Sequence, residues 1–345
     1  MKRLTVISAL FLLLSFSLPA QVVMTGASRS IFDTVSPANT TAAPTFSLSA
    51  ASALPMYTTV TISSATSGAS VCYTVDGTAP TVNSAGACTN GLTTATYTMT
   101  PTASTVTINA MAVATSMLAS ATSSITYTID KTIPVYLGGA EHPTNSSSAS
   151  SITTSSSVAV TTGQLLHVFC VADAAASIAI SDSASDTFTK YNYFQRPDTL
   201  ETVQSGYAFA KSSGSVTFTC TPASSTTGQL IIAQVYYPGS LTGLDSQASG
   251  TTFTMSSSYT SPAFSTTAKG LIISCVKLLT YGTYTAGAIG AQSATIRQVA
   301  GWSGAGNGAC EDTVTNPAYP VQSNITAGIS NTASGNWIGS VGAFK

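Results

Sequence analysis

Glycoside hydrolysis needs two carboxyl groups that converge on one bond, and this chain offers the close pairs Asp182 with Asp186, Asp198 with Glu201, and Glu311 with Asp312. None has the surroundings that such chemistry requires. Asp182-Ser183-Ala184-Ser185-Asp186 reads as a turn whose short polar side chains bond the local backbone. With Asp173 the same segment could place oxygen ligands around Ca²⁺. Glu311 and Asp312 are adjacent, so on a strand they point to opposite faces. Of the histidines, His167 sits inside the apolar run Leu165 to Val171 and reads as a core or sheet residue, and His142, between Glu141 and Pro143, reads as a solvated loop residue. Gly301-Trp302-Ser303-Gly304-Ala305 fails the Gly-x-Ser-x-Gly nucleophile elbow at its last position. The glycines from Gly301 to Gly308 lack the Lys-Ser/Thr ending of a phosphate loop. These residues assign no catalytic group and no metal site, and the expected class is a protein that is not an enzyme.

Binding chemistry is better served. Sugar rings lay their C–H faces on exposed aromatic rings while their hydroxyls meet polar side chains. Tyr191, Tyr193 and Phe194, followed by Arg196 and Asp198, form the densest such patch, and Trp302 in the glycine-rich stretch is a further candidate. Tyr191 and Tyr193 flank Asn192, so a regular strand would project both rings from one face.

The elements that must carry these residues are strands. From Pro44 to Ile129 short runs alternate apolar with Thr or Ser: Val60 and Ile62; Val71, Tyr73 and Val75; Val106, Ile108 and Ala110; Ile125, Tyr127 and Ile129. Asp76-Gly77 ends one run at a tight turn. About 85 residues in this rhythm fit an immunoglobulin-like sandwich. Asp130 to Pro134 breaks the alternation and reads as a linker over 130–135. Beyond it, Thr161-Thr162-Gly163-Gln164-Leu165-Leu166, Thr226-Thr227-Gly228-Gln229-Leu230-Ile231 and Thr266-Thr267-Ala268-Lys269-Gly270-Leu271-Ile272 each feed a nearly continuous apolar run. Such strands belong where both faces of a sheet are covered. The expected fold is all-β, with a second, jelly-roll-like sandwich over 136–345.

The string from Pro44 to Thr81 and the run Thr105 to Ile129 resemble the chitobiase/β-hexosaminidase C-terminal domain family. The resemblance rests on Pro44-Thr45-Phe46-Ser47, Tyr73-Thr74 before Asp76-Gly77, Thr78 and Pro80 after the turn, and Ile108-Asn109-Ala110. It covers residues 43–129 and implies an immunoglobulin-like accessory module of glycan-active and cell-surface proteins, with no catalytic residues to carry over. The segment between Pro80 and Leu92 departs from the family by carrying Cys88. Residues 135–345 resemble uncharacterised β-sandwich domains of exported bacterial proteins, a likeness that carries no site.

Export is expected on separate grounds. Lys2 and Arg3, an apolar run from Leu4 to Leu18 and Pro19-Ala20 form a secretory signal over residues 1–20, followed by a flexible leader over 21–42. Cys72, Cys88, Cys170, Cys220, Cys275 and Cys310 are even in number, and an exported chain favours disulfides. Cys72 and Cys88 flank one loop and are expected to pair. The other four allow three pairings, of which proximity prefers Cys170 with Cys220 and Cys275 with Cys310. Charged residues are only 7% of the chain and the net charge is −1, so no basic face exists for nucleic acid or anionic lipid. The partner expected is a polysaccharide or cell-surface glycan, with adhesion as the role and a secreted or surface location. A structural component of an envelope layer or fibre is the alternative, and a hydrolase acting through the second sandwich is another.

Overall fold

A computed structural model describes residues 39–345 apart from 84, 101, 146, 174–176, 198–200, 269, 302–305 and 314–320, with backbone alone at 144–145 and 252–254. The segments expected to be a signal peptide (1–20) and most of the expected leader (21–42) fall outside the described residues. Every regular element described is a strand, so the chain is all-β.

In the N-terminal part, β1 (Thr59–Ser63), β2 (Ser70–Thr74), β3 (Thr105–Val113) and β4 (Ser123–Asp130) carry the alternation read from the sequence. β2, β3 and β4 lie side by side, and Leu54–Pro55 adds a short parallel edge to β4. β1 pairs with Thr45–Phe46 and Thr96–Thr98 in a facing sheet. Val60, Ile62, Val71, Tyr73, Met99, Val106, Ile108, Ala110, Tyr127 and Ile129 meet between the two sheets and bury one face of each strand. Thr and Ser on the other face join in cross-strand hydroxyl pairs such as Thr107 with Thr126 and Thr59 with Thr98.

The C-terminal part begins at β5 (Val135–Asn145) and continues through β6 (Leu165–Ala172), β7 (Ile178–Asp182), β8 (Thr189–Gln195), β9 (Thr202–Phe209), β10 (Phe218–Pro222) and β11 (Gln229–Tyr237). It ends with β12 (Leu244–Thr260), β13 (Leu271–Leu278), β14 (Tyr284–Ile289), β15 (Thr295–Gly301), β16 (Asn307–Asp312) and β17 (Ala327–Phe344). One antiparallel sheet has the order β5-β11-β6-β9-β8; another has β12-β17-β13-β16-β15, with β14 also paired to β17. Numbered along the chain, the five strands of the first sheet and five of the seven in the second, leaving aside β14 and the short Gln292–Ser293 strand paired to it, run in the same spatial order, first-fifth-second-fourth-third. The second half thus repeats the strand plan of the first.

β6 explains why its sequence is apolar throughout. Leu166, Val168 and Cys170 enter a cluster with Ile178, Phe218 and Cys220 of the covering β7-β10 ladder. Leu165, Phe169 and Val171 enter another with Leu271, Ile273, Ile338 and Phe344 of the second large sheet. Both faces of the first large sheet are therefore covered, as the doubly apolar runs predict. Cys170–Cys220 ties that sheet to its covering ladder, Cys275–Cys310 joins neighbouring strands, and Cys72–Cys88 closes the N-terminal loop. Among the described residues no cysteine is free.

Candidate functional site

The aromatic patch expected over 191–198 is not an open platform. The ladder between β8 and β9 shifts register between Tyr191 and Phe194, and Asn192 takes a positive φ of 52°. The bulge turns Tyr191 inward while Tyr193 stays 46% exposed. Tyr191 donates its hydroxyl to His167 Nε2 at 2.7 Å, and the other ring nitrogen of His167 meets Gln234 Oε1 at 3.1 Å. Burial pushes the His167 pKa down to about 4 and the Tyr191 pKa far up. Both are neutral mortar between sheets. Asn192 Nδ2 donates to Ala248 O, Ser340 Oγ and Val341 O, which fixes the bulge against β12 and β17.

Phe194 is half-buried against the same cluster. Arg196 is fully buried, 3.7 Å from Glu201, which Lys277 Nζ approaches to 2.6 Å. This charged group joins the connection between β8 and β9 to β13 and is buried from solvent. Asp198 and Trp302 lie outside the described residues. The one-face projection of Tyr191 and Tyr193 requires a regular strand, and Asn192 in the left-handed region breaks that regularity.

The carboxylate pairs resolve in the same way. Asp182 Oδ1 accepts the backbone N–H groups of Ala184 and Asp186, and Asp186 Oδ1 accepts that of Lys211, so both stabilise the turn expected there. Burial, with the nearby Asp186 carboxylate, raises the Asp182 pKa. Asp173 instead receives the Thr227 hydroxyl. Among the described residues no group of three metal-ligating side chains forms. Glu311 and Asp312 do face opposite ways: Asp312 takes Arg297 and the Tyr236 hydroxyl, while Glu311 takes the Gly287 N–H.

An aromatic site does form where the N-terminal part meets the start of the second. Tyr57, Thr161, Thr162, Gly163, Gln164, Tyr237 and Pro238 line a crevice of about 320 Å³. That volume suits a small ligand or one unit of a longer one. The chain builds it from three places. Tyr57 occupies a two-residue turn after Leu54–Pro55 at φ 61°, held by its own N–H to Met99 O and by the Thr58 hydroxyl to Pro55 O. An aromatic residue in this region is strained by roughly 1–2 kcal/mol, and such strain concentrates where a side chain must be aimed. Tyr237 ends β11 opposite Val135, the first residue of β5, and its hydroxyl donates to Lys131 O at 3.1 Å. The two rings meet edge to face at a centroid distance of 6.1 Å.

Thr161 to Gln164 is the first of the polar openings, here a tight turn with Gly163 at φ 86°. Gln164 Oε1 accepts the Thr161 N–H at 2.8 Å, which orients the carboxamide and leaves its NH₂ group as a donor. Thr161 and Thr162 are exposed. No described residue lining the crevice is charged. Nothing in the sequence marks either tyrosine, since Tyr57 and Tyr237 meet only where the chain folds back over 130–134: Asp130 caps Thr132, and Thr132 O takes the Ser240 N–H.

Comparison with known proteins agrees with the N-terminal architecture. No curated protein and no solved structure matches the chain. The family profile described as Chitobiase/beta-hexosaminidase C-terminal domain matches residues 51–124, inside the segment read from the sequence, and this segment contains Tyr57.

Proposed function

We propose that this is an exported, non-catalytic protein that binds glycan through the crevice formed by Tyr57, Tyr237 and Pro238. The observation that carries the reading is two tyrosine rings set edge to face at an uncharged crevice rimmed by hydroxyl and carboxamide groups. A pyranose ring offers an apolar face to the rings and hydroxyls to Thr161, Thr162 and Gln164. The carbohydrate association of the matched domain supports the same class of ligand. The three disulfides and the sparse charge suit an oxidising, extracellular setting and a surface or adhesive role.

The test is retention of residues 21–345 on insoluble chitin, cellulose and peptidoglycan, beside Tyr57→Ala/Tyr237→Ala. Retention on at least one polymer that drops about tenfold or more in the double variant is expected. Equal retention of both proteins, or none of either on any polymer, contradicts the assignment.

A further inference from the structure

The far end of the molecule holds a second depression with related chemistry. Tyr281, Gly282 and Thr283 from the connection after β13, Tyr284 at the start of β14, Val299 and Gly301 from β15, and Asn307 from β16 line a volume of about 310 Å³. Tyr281 is 58% exposed and Val299 46%, so two apolar side chains face water at its mouth. The Tyr281 ring is set over the backbone of Gly301, where a β-carbon would stand 3.4 Å from Cε2.

Asn307 supplies a polar atom in want of a partner. It is 1% exposed; its Nδ2 donates to Gly282 O at 2.6 Å, and its backbone carbonyl accepts the Tyr284 hydroxyl. Those bonds fix the carboxamide and leave Oδ1 a buried acceptor with no donor among the described residues. Buried acceptors are rarely left so, because the missing bond is costly. The group that completes it must carry an O–H or N–H. None of the described lining residues is charged, which selects against an ionic ligand.

We propose that this depression is a second saccharide site, in which Tyr281 carries the apolar face of a pyranose ring and Asn307 Oδ1 accepts one of its hydroxyls. The choice of a saccharide rests on the glycan reading of the first crevice. The two sites lie at opposite ends of β11. Tyr237 closes that strand at the crevice, whereas Lys277, next to the end of β13, donates to Gly228 O just before its first residue. Nine residues of strand separate the sites by roughly 30 Å. One chain can then grip two stretches of a polymer or two neighbouring polymers, with avidity exceeding either site alone.

Titration calorimetry of the full mature chain with chitohexaose, and separately with cellohexaose, tests this. Two sites per chain are expected for at least one oligosaccharide, falling to one in Tyr281→Ala and to one in Tyr237→Ala. An unchanged melting temperature for Tyr281→Ala, whose ring is mostly exposed, shows that the fold is intact. A single site abolished by Tyr237→Ala and untouched by Tyr281→Ala overturns the second site and leaves the crevice standing. A single site abolished only by Tyr281→Ala does the reverse. No binding of either oligosaccharide overturns both.

Discussion

Two buried ionisable residues give the molecule opposed responses to pH. Glu311 is fully buried, and loss of hydration, with a smaller contribution from Asp312, lifts its pKa from 4.5 to about 7 against the opposing Gly287 N–H. Between those values the folded chain holds a proton that the unfolded chain has released, so this group's contribution to stability declines as pH rises across the window, by on the order of 1 kcal/mol per pH unit. His167 is the converse. Its pKa falls from 6.5 to about 4, so its contribution is present above 6.5 and is lost as pH falls through that range. Urea unfolding of the wild type between pH 4 and 8 should therefore vary little where the windows overlap. Glu311→Gln should leave stability rising with pH up to about 6.5, and His167→Gln should leave it falling up to about 7. Curves for the variants that run parallel to the wild type would refute this assignment.

At the scale of elements, the central strands are held by packing on two faces and by a covalent tie. Cys170 leaves β6 on the side facing β7 and β10, and its bond to Cys220 closes a separation of 50 residues between two sheets. On the chain-entropy account a loop of that length contributes about 4 kcal/mol. The double variant Cys170→Ser/Cys220→Ser should lose stability of that order in denaturant titration. Cys72→Ser/Cys88→Ser, closing 16 residues, should lose about 3 kcal/mol. Equal losses, or none, would show that the ties act through native-state strain instead. The bulge at Asn192 is an element of the same kind. It trades one exposed ring for an inward Tyr191 and an Asn192 side chain that reaches β12 and β17.

Across the whole molecule, the alternating runs, the doubly apolar strands, the N-terminal sandwich and the preferred disulfide pairs were legible in the sequence because period and turn chemistry act locally. The repeated strand order was only hinted at by the three Thr-Thr openings, since order depends on which strand pairs with which across long separations. The site was least legible. Tyr191 looks like Tyr193 until a bulge separates them, and Tyr57 and Tyr237 look ordinary until the Asp130-Thr132 turn brings a loop and a strand end together. The most direct test of the crevice is a crystal structure of the chain with saturating chitohexaose or cellohexaose. A pyranose ring is expected against Tyr57 and Tyr237, with its hydroxyls reaching Thr161, Thr162 or Gln164. A sugar ordered elsewhere on the protein while this crevice holds none would contradict it.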